Sequence, residues 1–335
     1  MHISLANIYK ITSLTYPSWI SFDSDNNSYV IGNYGGISKF DRFNRLITST
    51  AYNIYEPFYQ CVNDSNNNLF VSTYYNLIKF DSNLNYVGEY TLGDINLAVV
   101  IDSFDYIYVN SYYGGYLYKY NSLLNFINSV SVYEYNFLTV IDKLDNLICV
   151  EDDGYSTTAN GLYVEVYNTS LALIYRFSAP AGIYYWWTCG DNLGNFWILC
   201  SNNTIVKYTA AGILLLVVST SPLTHDIENL SVCTIQADLN GNIYLNDGND
   251  NLFIYSNSGI LLYSYKFPSL FSGSLITNYI YSQNSSITFI DRMNNLIATG
   301  VIINDPLISI MNNSKYNQIN CVTCNNNHKR GKYYD

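Results

Sequence analysis

Residues 63–81 read NDSNNNLFVSTYYNLIKFD, and this stretch decides the fold because its pattern recurs along the chain. An Asp/Asn-rich turn is followed by a short apolar strand, a second turn and a strand that ends in Lys-Phe-Asp. The alternating apolar, β-branched and aromatic residues predict strands, and Asn, Asp and Gly predict the turns between them. Five further copies begin at Asp23, Asp102, Asp142, Asp191 and Asp238.

The spacing of the copies predicts the architecture. The aromatic residues that close the third strand of each copy are Phe40, Phe80, Tyr120, Tyr167, Tyr208 and Tyr255. A period of about 40 residues with four strands is typical of a β-propeller blade. The sequence therefore predicts an all-β chain, with one β-propeller over residues 1–310 and a polar C-terminal tail over residues 311–335.

Seven blades are favoured over six. A seventh, incomplete copy follows the sixth, in which residues 287–290 resemble a first strand, residues 291–295 its turn and residues 296–299 a second strand. Residues 7–11 resemble the third strand of the other copies. We therefore expect the N-terminal segment to complete the last blade and close the ring, which removes free sheet edges. Six blades with an appended segment are the alternative.

The recurring elements resemble those of the NHL-type propeller family. They are an apolar strand, Asp-x-x-(Gly/Asp/Asn)-Asn, a second apolar strand and (Ile/Leu)-x-Lys-(Phe/Tyr)-(Asp/Asn), over roughly residues 19–303. The resemblance implies architecture rather than activity, because the family includes protein-binding, RNA-binding and enzymatic members. Among related enzymes, lactonase-like propellers bind a divalent metal at the channel with Glu, Asn and Asp. Streptogramin-lyase-like propellers use a His pair with a Glu.

Composition and charge limit the classes of function. The 335 residues include 36 Tyr, only 12% are charged, and the formal net charge is −11. This balance argues against general nucleic-acid binding, which needs a basic surface. No apolar run approaches the ~20 residues that span a bilayer, so no membrane span is expected. The N-terminal residues lack the pattern of a secretory signal peptide.

Few residues suit catalysis. The only histidines are His2, His225 and His328, so a His-pair lyase site is not expected. Residues 225–228, His-Asp-Ile-Glu in a long connection, form the most acid–base-like group, and an exposed polar loop is the simpler interpretation. The inner strands read as small, apolar or neutral. We predict no catalytic residues, no metal site and no cofactor. Enzymatic activity stays open, with a lactonase- or lyase-like site at the central channel as the alternative.

The cysteines and the Asp-rich turns are interpreted as structural. Five of the seven Cys fall in predicted strands and suit buried positions. Cys321 and Cys324 lie in the polar tail, where no special role, a disulfide and a metal shared with another chain are the three alternatives. The alternating oxygens of Asp23, Asp25 and Asn27 lack the later Gly and Glu of an EF-hand calcium loop.

Aromatic loops are the candidate binding residues. The candidates are Tyr112, Tyr113, Tyr116, Tyr184, Tyr185, Trp186 and Trp187. Tyr in loops on a rigid scaffold supplies amphipathic contact area at low entropic cost. We therefore predict a non-enzymatic binding or structural propeller that contacts a protein or glycan partner. Its composition favours a viral or cell-surface component, in the virion or outside the cell, and does not indicate an oligomeric state.

Overall fold

The computed structural model is all-β in the residues it describes. These residues are 2–14, 17–32, 35–52, 57–92, 96–111, 114–132, 136–151, 163–178, 185–191, 193–223, 233–238, 240–248, 251–267, 275–279, 286–291 and 296–303. Among them, no helix has the length and apolar character needed to cross a membrane. The predicted C-terminal tail, with Cys321 and Cys324, lies outside the described residues.

The described residues form 28 strands, most of which are five to nine residues long. In chain order they are β1 (His2–Lys10), β2 (Pro17–Phe22), β3 (Ser28–Gly32), β4 (Gly36–Phe40), β5 (Leu46–Ala51), β6 (Phe58–Asn63), β7 (Leu69–Thr73), β8 (Asn76–Phe80), β9 (Tyr86–Thr91), β10 (Asn96–Ile101), β11 (Ile107–Ser111), β12 (Tyr116–Tyr120), β13 (Phe126–Ser131), β14 (Asn136–Ile141), β15 (Leu147–Glu151), β16 (Tyr163–Tyr167), β17 (Leu173–Ser178), β18 (Tyr185–Gly190), β19 (Asn195–Cys200), β20 (Thr204–Thr209), β21 (Leu214–Ser219), β22 (Thr234–Ala237), β23 (Ile243–Asn246), β24 (Asn251–Tyr255), β25 (Leu261–Lys266), β26 (Leu275–Tyr279), β27 (Ser286–Asp291) and β28 (Leu296–Ile303).

The strands form a closed ring of seven four-stranded antiparallel sheets. In the first six sheets, four consecutive strands pair in order, from β2–β5 to β22–β25. The inner strands β2, β6, β10, β14, β18, β22 and β26 each contact the next, and β26 contacts β2. The prediction of a β-propeller with four-stranded blades is confirmed, and the seven sheets agree with the favoured blade count.

The last blade joins both ends of the described chain, but its strands are shifted from the predicted order. The sheet order is β26, β27, β28 and β1, so the N-terminal segment supplies only the outermost strand. Residues 287–290 lie in the second strand, residues 296–299 in the third, and residues 7–10 in the fourth. The sequence analysis missed β26 as the inner strand because no Asp-containing turn follows it, unlike the other six inner strands.

An aspartate follows each of the first six inner strands and fixes the next turn. In the second blade, Asp64 Oδ1 accepts the backbone N–H groups of Asn66 and Asn68 at 3.0 and 2.8 Å. Asp64 Oδ2 accepts the Asn68 side-chain amide at 2.8 Å. The equivalent Asp23, Asp102, Asp142, Asp191 and Asp238 accept the same two backbone N–H groups and are nearly buried. These carboxylates are therefore occupied by internal hydrogen bonds.

Buried lysines tie neighbouring blades together on the same side of the ring. Lys39 Nζ lies 3.2 Å from Asp23 Oδ2 and donates a 2.9 Å hydrogen bond to the Ser82 carbonyl of the next blade. Lys79 and Lys119 likewise donate to backbone carbonyls of the following blade, and Lys207 donates to the Asn257 side-chain carbonyl of the following blade. In the fourth and sixth blades, Val166 and Ile254 hold this register position. All four lysines are at most 8% exposed, so the hydrogen bonds and ion pairs compensate the cost of burying their charge.

The hydrophobic core is divided into layers between blades. One layer joins Tyr29, Ile31 and Ile37 of the first blade to Phe58 and Leu69 of the second, all fully buried. Similar layers join the fourth blade to the fifth and the fifth to the sixth. Because each sheet buries both faces against neighbours, the stability of every blade depends on the ring being closed.

Replacing Asp64 with Ala should lower the free energy of unfolding by about 2 kcal/mol or more. The change removes the buried carboxylate that accepts two backbone N–H groups and the Asn68 side-chain amide in a part-buried turn, and each of these hydrogen bonds contributes about 1 kcal/mol. Urea denaturation followed by circular dichroism measures the effect. Asn83→Ala is the matched control, since this exposed turn residue gives only its backbone N–H to Asp81. Equal stability of both variants would contradict the role of the carboxylate.

Alkaline pH should unfold the protein cooperatively. Burial raises the pKa of Tyr29, Tyr108, Tyr120, Tyr167 and Tyr244 well above 10, and nearby Asp or Glu carboxylates raise four of these further. The contribution of these tyrosines to stability is therefore complete below pH 10. It is lost as the pH rises above 10, because the tyrosines of the unfolded chain then ionise. Absorbance at 295 nm, which reports tyrosine ionisation, and circular dichroism, which reports the β-sheet structure, should change over the same pH range. Full ionisation near pH 10 with an intact β-sheet spectrum would contradict this prediction.

Candidate functional site

The two faces of the ring differ in how their strands are connected. On the turn face, which holds the Asp turns, short turns join the first strand of a blade to the second and the third to the fourth. On the opposite loop face lie the second-to-third turns and the connections between blades. The two longest stretches between consecutive strands, residues 152–162 and 220–233, join strand ends on the loop face. This asymmetry makes the loop face the candidate for binding.

The predicted aromatic residues that the structure describes lie in strands at their loop-face ends. Tyr116 begins β12 and is 43% exposed, with its ring 5.8 Å from the Tyr118 ring. Tyr185 and Trp186 begin β18. The predicted residues Tyr112, Tyr113 and Tyr184 lie outside the described residues.

Trp187 is partly buried, and it lies over the central channel rather than at a loop tip. Its indole stacks on that of Trp19, with ring centroids 5.5 Å apart and planes 24° apart. Trp19 belongs to β2 in the first blade and Trp187 to β18 in the fifth, and these inner strands are not neighbours in the ring. The two side chains therefore meet across the channel.

A β-bulge places both indoles at the same register position. The pairing of β2 with β3 shifts between Pro17 and Trp19, and that of β18 with β19 shifts between Tyr185 and Trp187. A bulge changes the direction in which the following side chains point. The corresponding residues in the second, third, fourth and sixth blades are Gln60, Ala98, Leu138 and Thr234. Only the first and fifth of these six blades carry an aromatic ring at this position.

A second group of aromatic rings lies in the neighbouring second blade and reaches the loop face. Ser18 Oγ donates to the Phe58 carbonyl at 3.1 Å, which joins β2 to β6 beside Trp19 and Tyr59. The Tyr59 ring lies 6.4 Å from that of Tyr74, and the Tyr74 ring 4.8 Å from that of Tyr75. Tyr75 is 44% exposed. We call these five residues the aromatic track: Trp187, Trp19, Tyr59, Tyr74 and Tyr75.

Sequence reasoning selected only Trp187 from the aromatic track. A signal for Trp19 was present, because both tryptophans lie four residues before the turn aspartates Asp23 and Asp191. The Tyr74-Tyr75 pair occupies the same kind of turn as the selected Tyr112-Tyr113 pair. Aligning the repeats on their turn aspartate would have found all three.

Neutral polar groups accompany the track along the inner strands. Gln60 Oε1 accepts the Val99 backbone N–H at 3.2 Å, and Thr188 Oγ1 donates to the Trp197 carbonyl at 2.8 Å. The Asn110 side-chain amide donates to Thr139 Oγ1 at 2.8 Å. These hydrogen bonds hold the inner strands in place without any formal charge.

The buried thiols are poor nucleophiles. Burial raises the pKa of the Cys61, Cys200 and Cys233 thiols to about 12 and also raises that of Cys189. A thiol with such a pKa is protonated at neutral pH and reacts slowly. Among the described residues, no three His, Cys, Asp or Glu side chains are grouped to hold a metal ion. His2 begins β1 in the outermost strand, and His225 and His328 lie outside the described residues.

Comparison with known proteins identifies the class of the fold. No protein-family model matches the chain, and no curated protein matches it. A solved streptogramin B lyase is similar, with a TM-score of 0.70 and 12% identity over 89% of this chain and 97% of that one. Virginiamycin B lyase from Staphylococcus aureus gives a TM-score of 0.69 and 12% identity, over 90% and 100% of the two chains. A catalytically inactive variant of that lyase with quinupristin gives the same values.

These similarities and the ring of four-stranded sheets define a β-propeller. At 12% identity, the likeness to the lyases establishes the fold alone.

Replacing either stacked tryptophan with Phe should remove an exciton-coupled band from the circular dichroism spectrum. Two stacked indoles couple their transitions, and a Trp–Phe pair does not reproduce the indole couplet. The couplet should therefore disappear in Trp19→Phe and in Trp187→Phe. It should persist in Trp197→Phe, because that indole lies between the fifth and sixth blades. A couplet that survives both of the first two variants would contradict the stack.

Proposed function

We propose that this protein is a non-enzymatic binding or structural β-propeller that contacts a protein or glycan partner through its loop face. The observation that carries the proposal is the aromatic track, in which three tyrosine rings that end at the exposed Tyr75 lie in the blade next to Trp19 of the indole stack. Aromatic rings of this kind offer a large contact area with little conformational entropy to lose.

The chemistry of the described channel residues supports binding over catalysis. A hydrolase or lyase needs groups that transfer protons or stabilise charge, with pKa values near the working pH. The polar groups beside the track are amides and hydroxyls that already hydrogen-bond to the backbone or to one another, and the buried thiols have raised pKa values. We therefore favour recognition of a partner over turnover of a substrate.

A lyase-like enzyme is the second candidate. The likeness to two lyases favours it, and the residues 225–228 belong to the connection between β21 and β22, whose ends lie on the loop face. Incubation with quinupristin, followed by mass spectrometry, tests this candidate directly. Cleavage that depends on His225 would favour the enzyme, and an intact antibiotic would favour binding.

The cellular setting is part of the proposal. The recurring strand-and-turn elements resemble the NHL type, and the uncharged Tyr- and Asn-rich composition suits a viral or cell-surface component in the virion or outside the cell. Few charged residues leave recognition to aromatic and neutral polar contacts, which is consistent with the chemistry of the track.

Photo-crosslinking in the native assembly tests the proposed face. A benzophenone amino acid replaces Tyr116 on the loop face in one variant and Phe104 on the turn face in the other. Both positions are exposed, at 43% and 72%. We expect a crosslinked partner at position 116 and none at position 104, as read by mass spectrometry. Crosslinks at position 104 alone would overturn the proposed face.

A further inference from the structure

The aromatic track is suited to one class of partner. We propose that it binds a neutral oligosaccharide, whose sugar rings stack in succession on the aromatic rings from Tyr75 inward to Trp187. This inference rests on the proposed function and names the ligand of the same face. It depends on the arrangement of the rings, the charge distribution and the closed channel.

The spacing of the rings favours a chain of small units over a single large group. The rings form two groups: Tyr75, Tyr74 and Tyr59 are joined by ring contacts at 4.8 and 6.4 Å, and Trp19 contacts Trp187 at 5.5 Å. The hydrogen bond from Ser18 Oγ to the Phe58 carbonyl holds together the two inner strands that carry Trp19 and Tyr59. The track crosses from the second blade through the first to the fifth. A linear ligand with a flat apolar surface on each unit matches such a path. Pyranose rings have this surface on their C–H faces.

The distribution of charge favours an uncharged ligand. The inner-strand aspartates of the first six blades lie at the turn-face ends of their strands, where hydrogen bonds and lysines occupy them. At the loop-face end, the residues at the register position of the two indoles are Gln60, Ala98, Leu138 and Thr234. A charged ligand would lose its hydration there without gaining an ion pair with these residues. A sugar instead brings hydroxyl groups, which can bond to amides, hydroxyls and water.

The stacked indoles also form a floor. Trp19 and Trp187 meet across the channel, so a ligand at the loop face would contact the accessible part of these partly buried rings. Both indoles are partly buried and pack against the interblade core. Such pre-organised aromatic surfaces bind with little ordering cost. The floor defines the inner end of the proposed site, and Tyr75 defines the outer end.

A glycan array and a fluorescence titration test the inference with the full chain. The array carries neutral oligosaccharides of glucose, mannose, galactose and N-acetylglucosamine, together with sialylated and sulfated analogues. We expect binding to neutral oligosaccharides, with tetrasaccharides preferred over monosaccharides. A titration with the best neutral tetrasaccharide should change tryptophan emission, because the indoles are part of the site.

Variants locate the binding on the track. Tyr75→Ala and Trp187→Ala should each weaken the affinity by about tenfold or more, as truncation of aromatic anchors generally does. Trp187→Phe should recover part of the loss by keeping a ring. Phe104→Ala on the turn face is the matched control and should bind normally. Tyr75→Ala keeps the test valid if Trp187→Ala does not fold, because Tyr75 is 44% exposed.

Three results would overturn the inference. They are an array without neutral-oligosaccharide binding, a preference for the acidic analogues, and binding that survives Tyr75→Ala and Trp187→Ala in folded protein. If the array is blank while position 116 crosslinks to a protein, the oligosaccharide inference fails and the proposed function stands. If neither the glycan array nor crosslinking at position 116 detects a partner, the oligosaccharide inference and the proposed function both fail.

Discussion

The buried carboxylate at the end of each of the first six inner strands is the interaction on which the rest of the ring depends. It fixes the first turn of the blade through two backbone N–H groups, and in the first and fifth blades it also pairs with a lysine. The lysines at this register position reach across to the next blade. The geometry of this turn and the contact with the next blade therefore depend on the same few atoms of the aspartate and the lysine. A change in one blade consequently affects its neighbour.

A second set of contacts reinforces this coupling in the first half of the ring. The backbone N–H groups of Ser24, Ser65 and Ser103 donate to Asn67, Asp105 and Asp145 of the following blade, at 2.8–3.0 Å. The acceptor residues have positive φ angles near 60°, which Asn and Asp tolerate better than most residues. The polar atoms of the turn face are thus largely used internally.

The sequence predicted the features that are encoded locally and missed those that depend on the closed ring. The six copies were recognisable because their turn aspartates and third-strand aromatics recur at short spacing. β26 was not recognisable, because no aspartate follows it. The sequence therefore assigned each later strand of the last blade one position too early in the sheet. The contact between Trp19 and Trp187 required the number of blades and the width of the channel. No pattern within one repeat contains that information, although the two tryptophans share a repeat position.

The position of β1 has a consequence for how the protein is made. This strand precedes all the other described strands in the chain, yet its partner β28 is the last of them. Until the two pair, six blades form an open arc with exposed apolar surfaces at both ends, and the first strand has no pairing partner. Such long-range pairing slows folding and prolongs the exposure of sheet edges. Closure of the ring therefore requires the first and the last described strands of the propeller to pair.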